Sequence, residues 1–377
     1  MEILIWAICF NLMSVSVSNQ FDPHVYPSVG PFFEGWYMRL IDFGTNNSYG
    51  LLFGHVLSIP STNSSYPKVL ASLLHRSHCT NNNTYKLYSS NVVCLAKDLN
   101  VTVRNGPVIK NPDDKSPPHF TWQTPFGLFT QTNNITTFHF DFGNYIFRGR
   151  IGPPVPWGPD GEGPEGWIDK LPFIPLHWFV FSLRSRVIWY ELLNVQTGQR
   201  IEGTNGVVHM EKNWGNSFPK GWIWSQGVSS HDNISFALSG GLVSLGEITT
   251  TQYLIGYRNI AKNLNLNYRP GNAKFSATHN GCVGWFKINV YGLLHEIHLS
   301  ASADLSTFSD CLYGPEITGF RQACIESYDA IINITVFKRE FLSLKKIDSQ
   351  IIKLSALEFG GTYTCDKQCH LHGNGES

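Results

Sequence analysis

The chain has 377 residues, of which only 15% are charged, with 28 lysines and arginines against 28 aspartates and glutamates. Sparse and balanced charge excludes an electrostatic nucleic-acid binder, which needs a basic face, and a highly charged disordered protein. The length exceeds one typical core of about 150 residues, so two packed units are expected. Aromatics at 14%, with 34 glycines and 20 prolines, describe a β-rich protein with many turns.

In chain order, "MEILIWAICFNLMSVSVS" reads as a signal peptide over residues 1–18, although it lacks the usual basic start. An uncleaved anchor is the alternative, but the apolar run is short for a membrane span. Asn-x-Ser/Thr acceptors at Asn46, Asn63, Asn82, Asn100, Asn134, Asn233 and Asn333 agree with a glycosylated chain that is secreted or held in the secretory lumen. Loss of the leader removes Cys9 and leaves an odd seven cysteines. Cys79 with Cys94, and Cys311 with Cys324, flank loops and are expected to form local disulfides, leaving Cys282, Cys365 and Cys369 over.

From Gly30 to Arg150, short alternating or aromatic runs such as "EGWYMRLID", "YGLLFGHVLSI" and "TTFHFDF" predict strands separated by Asn, Gly and Pro. "GPPVPWGPDGEGPEG" then breaks any regular structure. It is taken as the boundary, giving an N-terminal β-unit over 19–151, a linker over 152–167 and a C-terminal β-unit over 168–362. The second half reads almost wholly as strands, so the fold class is all-β, built as barrels or sandwiches. Residues 363–377 are a tail whose "CDKQCHLH" offers Cys365, Cys369, His370 and His372 as a metal-ligand set. The plainer reading is that its two cysteines oxidise, and no metal is expected.

No phosphate-cradling loop, dinucleotide glycine fingerprint after a strand, HExxH or GxSxG occurs. Two segments stand out. "PFFEGWYMRL" places Glu34 and Trp36 on one strand face and Tyr37 on the other. "HMEKNWGNSFPKGWIW" does the same for Glu211 and Asn213 against Lys212 and Trp214. A carboxylate lodged among indoles is disfavoured as an anion, so it can hold a proton near neutrality. Aromatic faces beside it stabilise the cation that protonation of an alkene would form. The competing reading is structural: Glu211 pairs with Lys212 or a buried arginine, and the tryptophans fill a core.

The chain resembles the tocopherol cyclase family of plants and cyanobacteria at "FFEGWY", "LPFIPLHW", "EKNWGNSFPKGWIWSQ", "FALSGGL", "ACIESYDAIINITVF" and "ALEFGG", in that order. It departs at Tyr328, where the plant enzymes tend to carry a cysteine. The resemblance implies two tandem lipocalin-like antiparallel β-barrels, an architecture shared with carotenoid hydratases and some fungal cyclases. It also implies cofactor-free chemistry. A prenylated phenol or quinol is protonated at a trisubstituted alkene, and oxygen captures the cation. Carried onto this sequence, it implies Glu211 or Glu34 as proton donor and His177 as the group polarising the phenol. Trp36, Tyr37, Trp178, Lys212, Asn213 and Trp214 would surround the substrate. The implied partner is a lipophilic small molecule, with peripheral membrane contact in reach. The alternative is a secreted carrier that binds such a molecule without chemistry.

Overall fold

The computed structural model describes residue 23 and residues 32–57, 69–78, 85–103, 119–132, 134–158, 161–171, 174–229, 233–245, 248–316, 319–341, 343–365 and 369. Residues 1–18, expected as a leader, and Cys79, Asn63, Asn82, His370 and His372 lie outside them. The first sheet holds β1 (Phe32–Asp42), β2 (Asn47–Leu57), β3 (Val69–His78), β4 (Tyr85–Cys94), β5 (Asn100–Val103) and β6 (Phe120–Thr124). It continues through β7 (Gly127–Gln131), β8 (Thr136–Asp141), β9 (Tyr145–Ile151), β10 (Leu176–Asn194), β11 (Arg200–Gly203) and β12 (Gly206–Gly215). The second holds β13 (Gly221–Val228), β14 (Ile234–Leu245), β15 (Ile248–Asn259), β16 (Leu264–Tyr268) and β17 (Ala273–Asn280). It is completed by β18 (Trp285–Gly292), β19 (His295–Ser302), β20 (Leu312–Glu316), β21 (Gly319–Arg339) and β22 (Leu344–Gly361).

Both sheets are antiparallel, and each curls round its own core as tandem lipocalin-like barrels do. The first core is aromatic: Phe53 meets Trp122, Phe129 and Phe140 at ring distances of 4.9, 4.8 and 5.5 Å. The second is mainly aliphatic, built on Ile223, Ile255, Ile297, Ile325 and Ile332. β1, β12 and β13 are buried on both faces, because a third apolar layer containing Trp157, Trp178, Trp222, Trp224 and Tyr328 lies between the barrels. That double burial explains the run of tryptophans around "EKNWG".

The division of the chain differs from the expected one. β10 and β12 pair with each other, and β10 also pairs with β9, so the first sheet extends to Gly215. The crossing between barrels is the short stretch 216–220. The Pro/Gly-rich stretch is instead a connection between two neighbouring strands of one sheet, which leaves that sheet to strap the second barrel. Arg258 donates to the carbonyl of Trp157 at 2.6 Å, Arg269 pairs with Glu162 at 3.1 Å, and the Trp157 ring lies against Gly256. A Cβ on Gly256 would fall 2.3 Å from that ring. Breaker residues mark where a strand stops; they do not say to which sheet the next one belongs.

The cysteines also pair differently. Cys282 bonds Cys365 and Cys311 bonds Cys369, while Cys94 and Cys324 are free thiols. Cys311 therefore does not join Cys324, and the tail cysteines do not join each other. Both bridges pin the chain after β22 onto the second barrel, which spacing along the sequence could not reveal. They suit an oxidising, secretory-type compartment. Among the acceptor asparagines, Asn46, Asn100, Asn233 and Asn333 are exposed and Asn134 is half-buried. No helix among the described residues is long and apolar enough to cross a membrane.

Non-reducing peptide mapping is expected to recover the Cys282–Cys365 and Cys311–Cys369 links and to find Cys324 alkylated only after unfolding. Replacing Cys365 with serine is expected to cost about 2–4 kcal/mol of stability, measured by denaturant titration.

Candidate functional site

β1 and β12 run side by side with Trp36 opposite Lys212 and Tyr37 opposite Glu211. Strand alternation therefore sends the expected site residues to two faces of one ladder. The inner face, in the first barrel, carries Glu34, Trp36, Lys212 and Trp214. Glu34 and Lys212 form a fully buried ion pair, with His55 3.9 Å from the same carboxylate. The lysine ammonium lies 5.1 Å from the centres of both the Trp36 and Trp214 rings. Burial pulls His55 down to about 4, so it is neutral at physiological pH. His177 stacks on Trp214 at 5.0 Å and bonds Glu165 at 2.7 Å. The role this geometry supports for Glu34 is charge pairing with Lys212.

The outer face meets the second barrel. Arg39, with 0% exposure, donates to Gln226 at 2.7 Å and to the carbonyl of Leu354 at 2.6 Å. Its guanidinium lies 4.6 Å from the centre of the Tyr328 ring. Glu211 accepts from the Trp224 indole at 3.0 Å and bonds His209 at 2.8 Å. The Tyr37 hydroxyl reaches both Tyr328, at 2.7 Å, and Glu326, at 3.1 Å. Trp178 packs nearby in the same inter-barrel layer, while Asn213 is half-buried at a position opposite both Gly35 and Trp178.

Two acids that the sequence reading did not nominate complete this face. Glu326 and Glu358 are direct cross-strand partners on β21 and β22. Glu326 is buried, and Glu358 is half-buried under the Trp222 indole, which donates to it. Burial first, then the charge of Glu358, pushes the Glu326 carboxyl well above the usual carboxylate range; Arg39 opposes this. Burial pushes Glu358 up to about 7, with Glu211 adding repulsion and the Trp222 hydrogen bond opposing it. The phenols of Tyr37 and Tyr328 are raised by burial as well and stay protonated. Glu326 sits in "ACIESY" and Glu358 in "ALEFGG"; a lone acid inside an apolar strand was the available signal for both.

Trp222 also walls a cleft of about 760 Å³ at the crossing between the barrels. Phe32, Phe33 and Phe218 form its apolar side, with Lys220, Arg321 and Glu316 also lining it. Phe33 and Phe218 meet at 5.1 Å and Phe218 and Trp222 at 5.0 Å. The arrangement is an aromatic-walled cleft with a pair of acids of raised pKa behind its Trp222 wall. Among the described residues no cluster of His, Cys, Asp and Glu could hold a metal ion.

The sequence profile of the family described as tocopherol cyclase-like matches residues 30–361. The chloroplastic tocopherol cyclase of Zea mays is 27% identical over 213 residues, covering 52% of this chain and 41% of that protein. The probable chloroplastic tocopherol cyclase of Oryza sativa subsp. japonica is 33% identical over 99 residues, covering 24% of this chain and 20% of that one. The matched segments thus span about two fifths of the first of these relatives and one fifth of the second. Among solved structures, an AttH-type protein of Nitrosomonas europaea aligns over 87% of this chain and 92% of its own, at 12% identity and a TM-score of 0.47. Kievitone hydratase from Nectria haematococca aligns over 87% and 89%, at 13% identity and 0.44.

Replacing Glu358 with glutamine tests the electrostatics. A carboxyl whose folded-state pKa is raised from 4.5 to about 7 binds more protons folded than unfolded, so its contribution to stability falls as pH rises across that window. Denaturation midpoints of the glutamine variant are expected to lose that fall, gaining on wild type at pH 8 and not at pH 4. Lys212→Met, which strands Glu34, is expected to cost about 3–5 kcal/mol, with much of it restored by adding Glu34→Gln.

Proposed function

Because the chain belongs to the tocopherol cyclase-like family, we propose that it catalyses an acid-initiated cyclisation of a prenylated phenol, quinol or related isoprenoid. The observation that carries this reading is the Glu326–Glu358 pair, set face to face between the barrels among Tyr37, Tyr328, Trp222 and Trp224, where burial raises both carboxyls. In this reading the substrate lies in the aromatic-walled cleft and its alkene approaches the acid pair past Trp222. The carboxyl proton of Glu358 passes to the less substituted alkene carbon, leaving a tertiary cation. Indole and phenol faces stabilise that cation. The phenolic oxygen forms the new C–O bond, and its proton returns to the carboxylate, so the product is an isomer of the substrate and the acid is regenerated.

Glu211 then has a different part from the expected donor. Its charge bears on both Glu326 and Glu358 and favours their protonated forms. The hydrogen bond from the Trp224 indole and the contact with His209 hold it in place. His177, on the inner face beside Glu165, serves in this reading to fix the strand that carries Trp178, since the Trp178 backbone N–H donates to Glu165 at 2.7 Å. The disulfides and the exposed acceptor asparagines support a glycosylated protein working in the secretory pathway or outside the cell, on a lipophilic substrate available there.

Incubation of the purified protein with a prenylated hydroquinone in heavy water is expected to give a chromanol carrying one deuterium on the former alkene carbon. Glu358→Gln and Glu326→Gln are each expected to lower kcat about 10²–10⁴-fold, and wild-type kcat is expected to fall as pH rises through about 7, where Glu358 loses its proton. A background rate for wild type across prenyl phenols and terpenes, with an unchanged lipid co-purifying, would instead identify a carrier.

A further inference from the structure

At the end of the second barrel remote from the cleft, the turns after β15, β18 and β21 project apolar side chains into solvent. Phe341 is 97% exposed, Leu293 87%, Leu294 65%, Ile260 55% and Leu344 45%. The tips carrying Leu294 and Phe341 are neighbours: His295 pairs with Lys338, and the Arg339 backbone N–H donates to the Leu294 carbonyl at 2.8 Å. The turn holding Ile260 joins them through Lys262, which donates to the Ile347 carbonyl at 3.1 Å. Single exposed leucines are ordinary on a protein surface, but several large apolar side chains gathered at adjoining hairpin tips mark a contact surface.

The charge around these tips says what kind of contact. Lys338 lies directly across from Lys345 in the β21–β22 ladder, and Lys346 follows; all three are exposed. Like charges placed opposite each other weaken a strand pair, and an anionic partner removes the penalty. The other basic groups there are engaged, Arg339 with Glu296 and Lys262 with Asp348. Glu340 is the acid on the same turn, so the lysines outnumber it. Side chains standing this far out of hairpin tips suit insertion between acyl chains, whereas a folded partner would need a broad complementary patch.

We propose that this tip docks the protein on an anionic lipid surface, with Phe341, Leu293 and Leu294 entering the acyl region and Lys338, Lys345 and Lys346 meeting the headgroups. The inference stands apart from the cyclase reading, since docking requires no chemistry in the cleft. It is tested by flotation of the full chain with vesicles of phosphatidylcholine alone, or with about one third phosphatidylserine. Wild type is expected to float with the anionic vesicles and to be released by salt. Lys338→Gln/Lys345→Gln/Lys346→Gln should weaken binding about a hundredfold, at roughly fivefold per lysine. Phe341→Ser/Leu294→Ser should abolish it, and Phe341→Leu should retain it, with near-ultraviolet circular dichroism unchanged in all. The proposal is overturned if wild type floats with neither vesicle or equally with both, or if the tip variants bind like wild type. It is also overturned if the tip instead mediates a concentration-dependent dimer that Phe341→Ser dissolves.

Discussion

Arg39 carries a full charge into a space that excludes water, and much of the inter-barrel layer follows from satisfying it. A guanidinium stays protonated even when buried, so its donors need acceptors and its charge needs a counter-field. Gln226 supplies one acceptor and the Leu354 carbonyl another, while the Tyr328 ring lies beneath. To bring that carbonyl into reach, Leu354 adopts φ 51°, a left-handed conformation that costs a leucine about 1 kcal/mol. The β21–β22 register shifts on either side of Ala330, near the same place. These irregularities re-aim side chains, as bulges do next to functional sites. Tyr328 is turned so that its hydroxyl meets Tyr37 and fits against Gly50, where an added Cβ would lie 2.0 Å away.

The acids sit in this field. Arg39 acts on Glu326, and the cross-strand register sets Glu358 directly opposite that acid. Two carboxyls facing each other away from water disfavour each other's ionisation, and burial with that repulsion raises Glu326 while burial raises Glu358 to about 7. The first barrel solves the opposite problem with one acid and one lysine, Glu34 and Lys212, and the result is a neutral pair locked inside an aromatic core. Chemistry that needs a movable proton is therefore better served between the barrels than inside the first. The cleft beside Trp222 opens at that same layer, at the crossing of residues 216–220.

Much of the fold was legible in the residues. Alternation and turn residues predicted strands throughout, and the period of two assigned Glu34 and Tyr37 to opposite faces. The boundary was misplaced because prolines and glycines report a broken strand, while membership of a sheet depends on hydrogen bonds to residues far along the chain. The disulfides were misassigned for a related reason. Cys311 and Cys324 are near in sequence, and Leu312 even pairs with Cys324, yet the partner of Cys311 is Cys369, brought in by the return of the tail after β22. Glu326 and Glu358 passed unnoticed within matched motifs, because each looks like an ordinary acid until the ladder places one opposite the other.

The backbone alone sends successive side chains to opposite sides, so the sequence was sufficient to say that the acids near Trp36 and Trp214 divide between two environments. It was also sufficient to say that an acid among aromatic residues resists ionisation. What lies across from each face is a matter of long-range contact, with Tyr37 reaching Glu326 over 289 residues of chain and Arg39 reaching Leu354 over 315. Only tertiary structure could pair Glu34 with Lys212, crowd Glu326 against Glu358, and raise the carboxyls of the outer face, because charge states are set by neighbours in space.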